Sequence, residues 1–302
     1  MMKPLAFTLV SMLAGAGIAV ADEITVRHAR GETVLAAVPQ TVMVTDWAAF
    51  DNLTALGVPV AGVPGSALPG HLADKVTDDM QKIGSLQEPD IEGIAAAAPD
   101  LVVIGGRSRT SYDTISRLAP VIDISVDSGA VIDGAKANLT MLGEVFDREE
   151  RAAELIAALD ARVEEARTAA EGKGTALVIV TNGGKIGIYG PESRVSWLYN
   201  TLEVPSVFDD VDDRDHGGDA ITFEYLLQAN PDWLFVVDRD AGVGSGGESA
   251  RQLLDNELIH QTNFWQNDRV VYLDPTASYI TMNGHDALML LLDQVIEAYN
   301  TK

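Results

Sequence analysis

Two arginines, Arg107 and Arg239, occupy the same place in two copies of one plan. The first copy runs from Pro89 to Arg107 and the second from Ile221 to Arg239, aligned without a gap at an offset of 132 residues. In each, a glutamate (Glu92, Glu224) opens a short helix and a Pro-Asp turn follows. An apolar strand comes next, and an arginine stands fifteen residues after the glutamate. In open α/β sheets ligands collect beyond the carboxyl ends of strands, so two equivalent lobes would present these cations to one cleft. Arg194, in Gly190-Pro191-Glu192-Ser193-Arg194, adds a third guanidinium at a helix start after a hairpin. A lone surface arginine carries no meaning. Three at loop ends, in a chain with only 21 Lys and Arg, form an anion-binding trio, because guanidinium is permanently charged and donates several hydrogen bonds in a fixed fork. His216 and Tyr279 flank the second copy on Gly- or Pro-containing loops; ordinary loop residues are the alternative reading for both.

Other constellations are weaker. Gly242-x-Gly244-x-x-Gly247 has the spacing of a dinucleotide loop, but Arg239 and Asp240 separate it from the strand, and Glu248 stands where a pyrophosphate would sit. Asp213, Asp215, Gly218, Asp219 and Glu224 match calcium-loop positions, but Gly217 offers no side-chain oxygen, so a solvated acidic loop is expected. The five histidines are scattered, with only His216 and His285 near other candidates; no His-Glu-x-x-His, cysteine or Gly-x-Ser-x-Gly elbow supports a zinc cage or a nucleophilic enzyme.

The elements that must position these residues alternate strand and helix over most of the chain. They predict an α/β fold of two lobes, each a mostly parallel sheet flanked by helices and joined by a single long helix. The expected boundaries are a signal peptide at 1–21, an N-terminal lobe at 22–146, a connecting helix at 147–172 and a C-terminal lobe at 173–302. Lys3, the apolar run Leu5 to Val20 and Ala19-Val20-Ala21 form a secretory pattern with Asp22 beginning the mature chain. Asp147 and Glu150 have capping-box spacing ahead of an apolar stripe at Leu155, Ile156, Leu159 and Val163. Asn182-Gly183-Gly184 signals a hairpin, Ser193 to Leu202 and 248–258 read as helices, and 284–299 as a final core helix. The net charge of −24 argues against a nucleic-acid binder, and the absence of cysteine excludes disulfides and a lipidated N-terminal cysteine. A free periplasmic protein follows from these features.

On the phrases 99–107, 189–194, 216–225, 236–239 and the Tyr279 loop, the chain resembles the periplasmic substrate-binding proteins of iron–siderophore ABC importers, helical-backbone class. Within that group it is most similar to the branch that binds catecholate siderophores. The resemblance implies a ferric siderophore held between two lobes, with Arg107, Arg194 and Arg239 on the catecholate oxygens. His216 and Tyr279 would complete the iron coordination of a tetradentate siderophore. It implies Glu92 and Glu224 docking on the arginines of an inner-membrane permease, which works with its ATPase. It further implies no intrinsic cofactor, no catalysis and a monomer. Another ferric chelate (citrate or a hydroxamate), or a secreted α/β enzyme, are the alternatives. The acidic run before His216 and the Gly-rich stretch after Arg239 depart from the family pattern.

Overall fold

The computed structural model describes residues 23–208, 211 and 218–301; the expected signal segment, His216 and most of the acidic loop lie outside the described residues. After a hairpin of β1 (Ile24–His28) and β2 (Gly31–Leu35), five strands build the first sheet. They are β3 (Val42–Val44), β4 (Gly62–Val63), β5 (Gln81–Lys82), β6 (Leu101–Ile104) and β7 (Val121–Asp123), in spatial order β5-β4-β3-β6-β7 and parallel throughout. The second sheet comprises β8 (Ala176–Asn182), β9 (Lys185–Tyr189), β10 (Asp219–Ile221), β11 (Trp233–Asp238) and β12 (Val270–Tyr272), in order β10-β9-β8-β11-β12. Here β8, β11 and β12 are parallel, whereas β9 runs antiparallel to both β8 and β10. The mixed character comes from the hairpin signal. Gly183 and Gly184 form its two-residue turn at φ +57° and +77°, a backbone that glycine adopts without strain.

Alternation along the strands divides the core. Val42, Val44, Leu101, Val103 and Ile122 face one large cluster shared by both lobes, while Met43, Val102, Ile104 and Val121 face a smaller one with Ile94. The second sheet repeats this, with Val178, Val180, Phe235 and Val237 inward and Leu177, Ile179, Leu234 and Val236 against the outer helices.

The helix Val131–Val145 ends with Asp147 at φ +53°, and Arg148 N–H reaches back to the Gly143 carbonyl at 2.8 Å. That is a Schellman-type stop. It uses Asp147 to end one helix, so the expected capping box with Glu150 does not form, and the next helix, Glu149–Ala170, starts without a side-chain cap. Its 22 residues span about 33 Å, burying Ala152, Leu155, Leu159, Val163, Ala166 and Ala170 along one face. It packs along both Val131–Val145 and the last helix, His285–Thr301. The expected helices at 193–202 and 248–258 shrink to Trp197–Asn200 and Ala250–Leu254, because tight turns at Ser193–Ser196 and a Ser249 cap take up the flanking residues.

The internal repeat is structural as well as sequential. The helices Ile91–Ala97 and Phe223–Ala229 are capped by Asp90 and Thr222 and stopped by left-handed Ala98 and Asn230. Asp100 then accepts from the amides of Gln40 and Thr41 at 3.0 and 2.8 Å, and Asp232 from the amide of Thr175 at 2.8 Å. These bonds pin β6 and β11 to their neighbours in the same way.

Candidate ligand-binding site

Arg107 lies in the 3-10 turn Gly106–Ser111 directly after β6, and Arg239 is the first residue of the short helix Arg239–Val243 directly after β11. That helix starts where it does because Asp238 caps it by accepting from the Ala241 amide at 3.0 Å. Arg194 sits in the turn that Ser193 closes on the Gly190 carbonyl. Tyr279 ends the helix Pro275–Tyr279, which Asp274 caps with Pro275 at its first position. The helices bearing Arg239 and Tyr279 pack so closely that a Cβ on Gly242 would lie 2.6 Å from the Pro275 carbonyl oxygen. The supposed dinucleotide glycine is therefore a packing glycine inside a helix.

All three guanidiniums gather on Tyr279. Arg194 stands 4.3 Å from its ring centroid, Arg107 5.3 Å and Arg239 5.8 Å. Arg107 Nη2 donates to the Tyr279 carbonyl at 2.6 Å and Nη1 to that of Ile280 at 3.3 Å; Arg194 Nη1 donates to the Tyr279 carbonyl at 3.0 Å. Arg239 donates to Asp240 at 2.9 Å. The four residues border a cleft of about 690 Å³.

The electrostatics follow from burial and crowding. Burial, and next the charge of Arg194, pull the Arg107 guanidinium below its ordinary value. Burial also pulls at Arg239, but hydrogen bonding and attraction from Tyr279 and Asp240 outweigh it, so its net shift is upward. Burial pushes the Tyr189 phenol up to about 12, with Arg194 pulling the other way. A multiply charged anion entering this cleft would relieve the repulsion between the arginines.

Two charged residues that the sequence reading missed also line the cleft. Asp46, at the end of β3, is buried and caps the helix Trp47–Ala55 through the Ala48 amide at 2.8 Å; burial raises its carboxyl against the pull of Arg107. Arg109 stands two residues after Arg107, about half exposed, with Nε 4.0 Å from Asp123. What brings Asp46 to Arg107 and Arg109 is that β3 is the parallel neighbour of β6, so the two strands end at one edge, a placement that residue spacing alone does not carry.

Glu92 and Glu224 do not border this cleft. Both are exposed in the first turn of the helix that precedes the repeated strand. Glu224's own backbone amide and the Thr222 hydroxyl hold its carboxyl below the usual range. His216 lies outside the described residues, and His285 pairs with Asp286 at 2.8 Å instead of facing the cleft. Among the described residues no group of three or more His, Asp or Glu could hold a metal ion, and no helix is long and apolar enough to cross a membrane. A second depression, of about 520 Å³, lies beside β12, where Arg251 is stacked on the Tyr272 ring at 3.9 Å; no residue singled out in the sequence borders it.

Two α/β lobes with a cation-lined cleft define a ligand receptor. A family model described as periplasmic binding protein matches residues 42–277, and the chain belongs to that family. The petrobactin-binding protein YclQ of Bacillus subtilis is 31% identical over 279 residues, covering 91% of this chain and 87% of that protein. The ferric-anguibactin-binding protein FatB of Vibrio anguillarum is 32% identical over 284 residues, covering 92% and 88%. Among solved structures, the periplasmic catecholate-siderophore binding protein VctP of Vibrio cholerae superposes with a TM-score of 0.84 at 31% identity, covering 93% of this chain and all of that one.

Proposed function

We propose that this protein captures a ferric siderophore of the catecholate type in the periplasm and delivers it to an inner-membrane ABC permease and its ATPase, performing no reaction itself. The observation that carries this reading is the convergence of Arg107, Arg194 and Arg239 on one aromatic residue at the cleft wall. The site already accommodates a phenolic ring among three guanidiniums, and a ferric catecholate presents flat aromatic rings and phenolate oxygens to the same groups. Relatives named for petrobactin and ferric anguibactin, and a structural neighbour named for catecholate siderophores, support the ligand class.

Arg107, Arg194 and Arg239 bind the ligand's oxygens. Where a siderophore supplies only four donors, the phenolate of Tyr279 and the imidazole of His216 complete the ferric coordination; hard oxygen and imidazole donors suit iron. Glu92 and Glu224, exposed on equivalent helices and outside the cleft, dock on cationic sites of the permease. The test is a fluorescence-quenching titration with a ferric catecholate. Arg107→Ala, Arg194→Ala and Arg239→Ala should each weaken binding by about tenfold or more, the loss of one charge-assisted contact. Unchanged affinity in all three would remove the trio from the site.

A further inference from the structure

A partner that gripped only Glu92 and Glu224 would face an ambiguity. The two carboxylates occupy equivalent positions on equivalent helices, so docking through them alone permits two orientations that exchange the lobes. The neighbouring position breaks this equivalence. Tyr225 is 42% exposed and is the single aromatic among the large exposed hydrophobic residues in the described part of the chain. Its ring is stacked on Phe208, with centroids 5.1 Å apart and planes 12° from parallel. The residue 132 places earlier is Gly93.

The difference is built into the helix caps. A Cβ on Gly93 would lie 2.5 Å from Oδ2 of Asp90, the carboxylate that caps the first helix by accepting from the Gly93 amide at 3.0 Å. The second helix is capped by the hydroxyl of Thr222, which accepts from the Tyr225 amide at 3.3 Å and leaves that position free to carry a ring. The first lobe thus offers a bare carboxylate, and the second a carboxylate beside a stacked aromatic pair. An exposed apolar stack next to a charge is a recognisable surface feature in an otherwise strongly acidic chain.

Resting on the proposed delivery to a permease, we propose that the Tyr225–Phe208 stack fixes which lobe faces which half of that permease. It does so by seating in an apolar recess beside only one of the two cationic sites that receive the glutamates. A contact present on one side and missing on the other gives the discrimination that two like charges cannot.

The chain has no cysteine, so single-cysteine variants report position without ambiguity. Gln228→Cys and Ala96→Cys mark equivalent exposed positions on the two helices. Each, carrying a photoreactive maleimide and loaded with a ferric catecholate, is irradiated with vesicles of the native inner membrane, and the cross-linked permease peptides are identified. The two positions should label different permease peptides. Adding Tyr225→Ser, or Phe208→Ser, should make the two sets overlap, leave ligand affinity unchanged and reduce initial uptake to about half, the result of random seating. Separate peptide sets in both serine variants would overturn the orientation role. The double variant Glu92→Arg with Glu224→Arg isolates the underlying reading. If it abolishes cross-linking while the serine variants keep separate sets, docking stands and only the orientation role falls. If it leaves cross-linking intact, the docking reading fails and the orientation role fails with it.

Discussion

Arg107 of the first lobe donates to the carbonyl of Tyr279, 172 residues further along the chain, at 2.6 Å. The segment that follows is fastened to the same lobe. Asn52 donates to the Asn283 carbonyl and accepts from the His285 amide, and Asp51 accepts from the amides of Asp286 and Ala287, each at 3.0 Å. Tyr279 belongs to the second half in sequence, but its carbonyl accepts from Arg107 of the first lobe as well as from Arg194 of the second. The cleft wall at this point is shared between the two halves of the chain.

Asp51 should be a main support of that fastening. Its side chain is fully buried, and Asp51→Ala would strand two buried amide donors at the start of the last helix, which costs about 2–3 kcal/mol. Urea denaturation should show a lowered midpoint with an unchanged slope. A midpoint within error of the parent protein would show that the fastening contributes nothing.

The three arginines should separate when stability is measured instead of affinity. Arg194 is 7% exposed and donates to the Tyr279 carbonyl, so Arg194→Ala should lower the melting temperature most. Arg107→Ala should come next, because it leaves two carbonyls without that donor. Arg239→Ala should change stability least, its side chain being 31% exposed. Differential scanning fluorimetry of the three variants gives the order directly.

Asp46 places a carboxylate in a cleft otherwise dominated by arginines, so Asp46→Asn should tighten binding of an anionic chelate by roughly threefold or more. The same variant carries a stability prediction. Burial raises the folded-state pKa of Asp46, so its ionisation is disfavoured by the fold and wild-type stability falls as pH rises through that raised value. Asparagine keeps an acceptor for the Ala48 amide. Asp46→Asn should therefore gain stability at neutral pH and lose that component of the pH dependence; equal unfolding profiles across pH 4 to 8 would contradict the assignment.

Asp286 has the opposite sign. Hydrogen bonding from His285 first, then from Lys75, holds its carboxyl well below the usual range despite its burial. A depressed carboxyl supplies stability that is complete above its unfolded pKa of about 4 and is lost as pH falls toward the folded value. Asp286→Asn should lower stability at pH 7 and narrow the gap between pH 7 and pH 3 in chemical denaturation.

Much of this was legible because the repeat encodes its own caps. Asp90 and Thr222 start equivalent helices, Ala98 and Asn230 stop them, and Asp100 and Asp232 tie the next strands to their neighbours. Such contacts are local or fixed by the sheet, so spacing reveals them. Arg107 and Arg239 follow the carboxyl ends of β6 and β11, equivalent strands of the two sheets, and that much the repeat spacing carries. Three things depended on long-range geometry that spacing does not carry. Arg194 reads as a loop-end arginine and is instead buried against the tyrosines. Asp46 reads as a simple helix cap until β3 is placed beside β6. Asp147 has the right residue type for the capping box, but the preceding helix uses it as a left-handed stop.

The central claim is the ligand class, and a quenching panel tests it most directly. Trp47 follows Asp46 at the cleft and Trp197 lies three residues beyond Arg194, so intrinsic fluorescence should report occupancy. Purified protein titrated with a ferric catecholate should quench at one equivalent with sub-micromolar affinity, while ferric hydroxamate and ferric citrate bind at least about tenfold more weakly. Citrate or hydroxamate binding as tightly as the catecholate, or no response to any catecholate, would contradict the account.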